Sequence, residues 1–193
     1  MFSEHWEPRI KFERPSYITS GDFSGCYDQA SHAIWISSFY KYIKWESTDT
    51  IQIAPVWARE LIDHELGHAL CDQISVLNFG KTWPDTLTWI ERSFEEKVAL
   101  KILTEGVAEY FSNSNTTTEI SFQLFPDNKK NTIWKNNEWT YSAGYILVKP
   151  IVTEFGEKGL KYIIQNSFTY KDGDVRTAAK AYQKTALEEL SKR

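Results

Sequence analysis

Two histidines four residues apart enclose a glutamate in His64-Glu65-Leu66-Gly67-His68, the pattern H-E-x-x-H. Residues four apart on a helix share one face. Both imidazoles then point to a common position, where a tetrahedral divalent ion would sit about 2.0 to 2.1 Å from each nitrogen. Glu65, next to the first histidine, can reach a water at that position and act on its proton. With four His and 17 Glu among 193 residues, chance would produce the pattern roughly 0.007 times, so two ordinary surface histidines are the weaker reading.

A catalytic Zn²⁺ site takes three protein ligands and keeps one corner for water. The third ligand must be sought elsewhere in the chain. His5 and His32 lie upstream and no His follows His68. The metzincin extension would put Gly at position 71 and His at 74, where Cys71 and Ile74 stand, and with Met1 as the sole methionine a Met-turn cannot form. The better candidate is Glu105 in Thr104-Glu105-Gly106-Val107-Ala108-Glu109-Tyr110, 37 residues after His68. A His₂Glu set of His64, His68 and Glu105 results.

These residues resemble the gluzincin metallopeptidases, in which a second helix supplies a Glu ligand from an E-G-x-A or E-x-x-x-D/E pattern. Glu105 and Glu109 fit both versions. The resemblance spans residues 55 to about 165 and implies a zincin-like domain holding Zn²⁺, with a small N-terminal sheet above the active-site helix. It further implies a peptidase in which Glu65 is the general base, and Glu109 takes the other ring N–H of a ligand histidine, with His64 the choice. Tyr141-Ser142-Ala143-Gly144 resembles the Y-x-x-G helix start whose Tyr donates its phenol to the oxyanion of the intermediate; Tyr145 and Tyr110 are the fallback donors. Gly106 costs a helix interior roughly 1 kcal/mol relative to Ala, which close approach of the two metal-site helices would explain. Aminopeptidases of this clan carry an upstream G-x-M-E-N strand that this chain lacks, so an endopeptidase is the expectation. The strand near Ala33 to Ser38 is expected to be the cleft edge that binds extended peptide.

The elements that must position these groups are legible as periodicity. Val56, Trp57, Leu61, Ile62, Leu66, Ala69, Leu70 and Ile74 recur every three or four residues, predicting a helix over 55–76. A second runs from the Pro84-Asp85 start signal to Ser112, with a possible break at 104–106. Ala33 to Phe39 reads as a strand, hairpinned with 17–19, and Ile120, Phe122 and Leu124 alternate as another before a turn over 126–131. Helices are expected over 141–155, kinked at Pro150 and ended by Gly156, then over 157–165 and 174–192. The fold class expected is α+β, mainly helical. It is one domain of 193 residues: a sheet-containing part to residue 54, the metal-site helices over 55–112, and a helical remainder.

Composition limits what else the chain could be. Hydrophobic residues make up 41% and aromatics 15%, which excludes disordered and low-complexity classes. A net charge of -4, with no basic run longer than Lys129-Lys130, argues against a nucleic-acid surface. No apolar run approaches the roughly 20 residues of a membrane span. An acidic N-terminus without a basic and apolar leader predicts a cytoplasmic protein, and Cys26 and Cys71 are expected as reduced, buried thiols. The partner expected is a peptide or protein substrate. The rival reading is a catalytically silent or self-blocked domain that binds peptide, using Trp35, Trp45, Trp83, Trp134 and Trp139 near element ends, or shut by its own N- or C-terminal segment, such as the C-terminal helix.

Overall fold

In a computed structural model the chain is described over residues 9–11, 25–36, 46–48, 51–53, 56–85, 91–112, 138–171 and 174–192. Among the described residues five strands come first: β1 (Arg9–Lys11), β2 (Gly25–Asp28), β3 (Ala33–Ile36), β4 (Glu46–Thr48) and β5 (Ile51–Ile53). Helices α1 (Val56–Phe79), α2 (Phe94–Ser112), α3 (Glu138–Phe155), α4 (Glu157–Gln165) and α5 (Val175–Ser191) follow. The mainly helical α+β expectation agrees with this order. The segments 17–19, 120–124 and 126–131, with His5, Trp45 and Trp134, lie outside the described residues.

Three of the strands form one sheet in the order β1–β3–β2, with β1 parallel and β2 antiparallel to the central β3. Its hairpin partner is therefore Gly25–Asp28, in the register Tyr27 opposite Ile34. The turn between them is tied by Asp28, whose Oδ2 accepts from the Ser31 N–H at 3.2 Å and from the Ser31 hydroxyl. Ala33, Ile34 and Ile36 are at most 1% exposed, because β3 lies under its neighbours and against α1. Strands β4 and β5 make a separate antiparallel ribbon.

Helix α1 runs three residues past its predicted end and stops where Gly80, at φ 68, gives its N–H to Val76 O at 3.0 Å. Helix α2 begins ten residues later than the Pro84-Asp85 signal suggests. Its start is a capping box: Ser93 N–H donates to Glu96 Oε2 at 2.7 Å, and Glu96 N–H donates to Ser93 Oγ at 3.2 Å. No break interrupts it at 104–106. Helix α3 continues through Pro150. That residue has no N–H for the Ile146 carbonyl, and Gln183 Nε2 of α5 donates instead to Ile146 O and Leu147 O, both at 2.9 Å. Asp174 starts α5 by accepting from Thr177 N–H at 3.0 Å.

Helices α2 and α3 form the middle of the core. Ile102, Leu103 and Val107 on one and Leu147, Val148 and Ile151 on the other are all fully buried. Helix α5 adds Val175, Ala179, Tyr182, Ala186 and Leu190, spaced by three and four, to the far side of the same cluster. Among the described residues, no helix is long and apolar enough to cross a membrane, and Cys26 and Cys71 form no disulfide.

Candidate metal centre

Three helices meet at the H-E-x-x-H segment because small residues let their backbones touch. A Cβ on Gly67 of α1 would lie 2.8 Å from Ala108 Cα of α2. A Cβ on Gly106 of α2 would lie 2.3 Å from the Gly144 carbonyl carbon of α3, and one on Gly144 would lie 2.2 Å from Ile102 O. The glycine of the E-G pattern and the glycine of the Y-x-x-G pattern are thus two halves of one contact. Gly106 serves the α2–α3 crossing. The approach of the two metal-site helices depends on Gly67, a correction to the role expected for residue 106.

This packing brings His64, His68 and Glu105 together, with one ligand atom of each within 4.8 Å of the others. His64 Nε2 lies 3.3 Å and His68 Nε2 3.6 Å from the same oxygen, Glu105 Oε2. Bonds of about 2.05 Å to a tetrahedral Zn²⁺ would separate neighbouring ligand atoms by roughly 3.3 Å, so the donor set fits that ion in type and in span. Glu109 Oε1 lies 3.0 Å from His64 Nδ1. If that nitrogen carries the proton, a neutral His64 turns a lone pair on Nε2 toward the Glu105 carboxylate. Two acceptors at that distance repel unless a proton on Nε2 or a metal cation lies between them.

Without a metal, a proton takes the cation's place. Burial pulls the His64 pKa down, but the Glu105 and Glu109 carboxylates outweigh it and push the imidazole up to about 9. Burial also opposes ionisation of Glu105, yet the two histidines hold its carboxyl far below the usual range. Glu65 is 5% exposed, and burial raises its pKa against the pull of His68 and His64 and a hydrogen bond from the Tyr27 backbone N–H. The Tyr141 phenol is pushed far up, first by burial and then by Glu105, Glu65 and Glu109, so it stays protonated and able to donate. Its ring centroid is 5.6 Å from that of His64.

These groups open into a cleft of about 510 Å³. His64, Glu65, His68, Glu105 and Tyr141 line one side, and β2 with Gln29, Ala30, Trp83 and Pro84 line the other. The edge strand expected at Ala33 to Ser38 is corrected: β3 is paired on both sides over 33–35, which leaves β2 to face the cleft. Of the fallback donors, neither Tyr110 nor Tyr145 lines it; Tyr110 packs edge-on against Phe111, and Tyr145 is 5% exposed in the core. Of the described tryptophans only Trp83 borders the cleft. Trp35 lies beneath Lys11 Nζ at 4.0 Å, and Trp139 packs against the core. Cys26 lines the cleft half-buried, whereas Cys71 is fully buried in the core, where burial pushes its thiol pKa up. No residue of α5 lines the cleft, so among the described residues a C-terminal block is not present.

Sequence reasoning missed Tyr27, Gln29 and Asp72. Asp72 is 1% exposed on α1 and accepts from Tyr27 Oη at 2.9 Å, from Trp83 N–H at 2.9 Å and from Gln29 Nε2 at 3.4 Å. Burial raises its carboxyl pKa, with the Trp83 and Tyr27 hydrogen bonds opposing. One signal was available: Asp72 stands four residues after His68 and continues the 64–68–72 stripe. Comparison with protein families, with curated proteins and with solved structures finds no match to this chain.

Proposed function

We propose that the chain is a zinc-dependent metallopeptidase with a zincin-like arrangement of helices, an endopeptidase that hydrolyses extended peptides. The observation that carries this reading is the convergence of His64 Nε2 and His68 Nε2 on one Glu105 oxygen, at 3.3 and 3.6 Å, beside a buried acid and an open cleft. Bound by these three side chains, zinc would supply a Lewis acid for the substrate carbonyl and bring the pKa of a bound water toward 7. Glu65 would take the proton of the attacking water and return it to the amine nitrogen as the C–N bond breaks. Burial keeps that carboxyl basic enough to accept, and the Tyr27 N–H fixes its position. The Tyr141 phenol would donate to the carbonyl oxygen as it gains negative charge. Strand β2 would align the peptide through its outward backbone groups.

Elemental analysis of the wild type and of His68→Ala tests the centre, with one zinc per chain expected in the first and loss in the second. Incubation with a mixed peptide library, with and without a chelator, tests the chemistry. Glu65→Gln should keep the metal and lower kcat by about 10²- to 10⁴-fold. Tyr141→Phe should lower kcat by about 10²-fold with little change in KM. Wild-type protein without zinc, or cleavage that a chelator leaves untouched, would sink the proposal.

A further inference from the structure

The geometry points to Asp72 as a positioning residue: its carboxylate latches the cleft strand β2 to the metal-site helix and so sets where an extended peptide lies over His64, His68 and Glu105. This rests on the peptidase reading above. The latch has three hydrogen-bonded arms, and His32 Nδ1 stands beside it, 3.9 Å from Asp72 Oδ2 and 3.2 Å from the Tyr27 hydroxyl. Tyr27, in β2, reaches Asp72 Oδ2 through its hydroxyl at 2.9 Å. Gln29, just past the strand, donates to Asp72 Oδ1 at 3.4 Å and to Pro84 O at 3.2 Å. Trp83, which lines the cleft beside Pro84, gives its backbone N–H to the same Oδ1 at 2.9 Å.

A buried carboxylate is a poor choice for stability alone, since an apolar side chain would fill the space without the desolvation cost. What the carboxylate adds is direction. It holds two segments that are far apart in the chain, 27–29 and Trp83, to one point on α1, and that point lies one helical turn, about 6 Å of axial rise, beyond His68. The rigid helix transmits this position to the metal ligands. At the other end, Tyr27 gives its backbone N–H to Glu65, so the side of the strand that faces away from β3 is turned toward the reacting groups. By the two-residue repeat of a strand, Gly25 shares that outward side. A peptide pairing there inherits its register from the latch, and a slip of one residue would move it by about 3.3 Å.

Two variants test this. Asp72→Leu keeps the size of the side chain and removes every acceptor; Tyr27→Phe removes one arm and keeps the ring. Hydrogen exchange should quicken about tenfold or more over 25–36 while α1 and α2 keep wild-type protection. Zinc content should be unchanged, KM for a long peptide should rise about five- to tenfold with kcat within about threefold, and cleavage of that peptide should spread to neighbouring bonds. Exchange that quickens uniformly, or not at all, overturns the latch. Local loosening with KM and cleavage position unmoved overturns its positioning role. A wild type without peptidase activity would instead remove the proposed function, and the exchange pattern would then decide the latch by itself.

Discussion

The two sides of the cleft are held by different physics. On the helical side the fixing contacts are backbone against backbone, Gly67 on Ala108 with the Phe111 side chain beside it, and Gly106 on Gly144 with backbone alone. On the strand side, β2 is tied to α1 by hydrogen bonds, to the Asp72 carboxylate and from the Tyr27 N–H to Glu65. Ligand atoms must be placed to within about half an ångström, and close-packed backbones give that rigidity. An edge that binds peptide, as proposed for β2, would tolerate more play, and hydrogen bonds that open and close one at a time would suit it. Damage to the first side should therefore be abrupt and damage to the second graded.

The largest effect is expected from Gly106→Val. Its Cβ would fall 2.3 Å from the Gly144 carbonyl carbon, so α2 and α3 must separate or the helix must shift, at a cost of about 3 kcal/mol or more. Because Glu105 is the adjacent residue, zinc binding should fail with the packing. Urea unfolding and metal content measure both losses. A variant with wild-type stability and zinc would show that the crossing can adjust, and the contrast between the two sides would disappear.

That contrast also explains what could be read from sequence. The H-E-x-x-H histidines were legible because the chemistry needs a fixed spacing on one helix face, and Glu105 with Glu109 because their one-turn spacing matches the same geometry. Strand β2 was not: Gly25-Cys26-Tyr27-Asp28 has no apolar alternation and begins with a turn residue. The start of α2 was misplaced because Pro84-Asp85 outweighed the Ser93–Glu96 capping box, the pair whose reciprocal hydrogen bonds set the boundary. Asp72 was legible only as a member of the 64–68–72 stripe, and its burial was not legible at all. A single acid on a helix gives no sign of being buried until the donors that surround it, from positions 27, 29 and 83, are folded against it.

A smaller effect, on chemistry rather than packing, is expected from Glu109→Gln. The amide oxygen can still accept from His64 Nδ1, now 3.0 Å from Glu109 Oε1, but the charge that makes the imidazole a stronger ligand is gone. Zinc affinity should fall about tenfold, the low end for an outer carboxylate of this kind, with little change in unfolding free energy. Competition against a chromophoric chelator measures it. An unchanged affinity would mean that the helical packing alone orients His64, and would extend the rigid side of the comparison to the ligand itself.

The smallest effect belongs far from the cleft, where a polar contact serves packing alone. Pro150 leaves the Ile146 carbonyl without its helical donor, and Gln183 Nε2 supplies one at 2.9 Å. Gln183→Leu should cost about 1 to 2 kcal/mol, the penalty for an orphaned buried acceptor. In a Pro150→Ala background the backbone N–H returns, and the same substitution should cost less by about 0.5 to 1 kcal/mol. A double-mutant cycle in urea measures that coupling. Since no residue of α5 lines the cleft, kcat/KM should stay within about twofold throughout. A rise in activity on loosening α5 would instead revive a self-blocked enzyme, with the C-terminal helix acting on the cleft through α3.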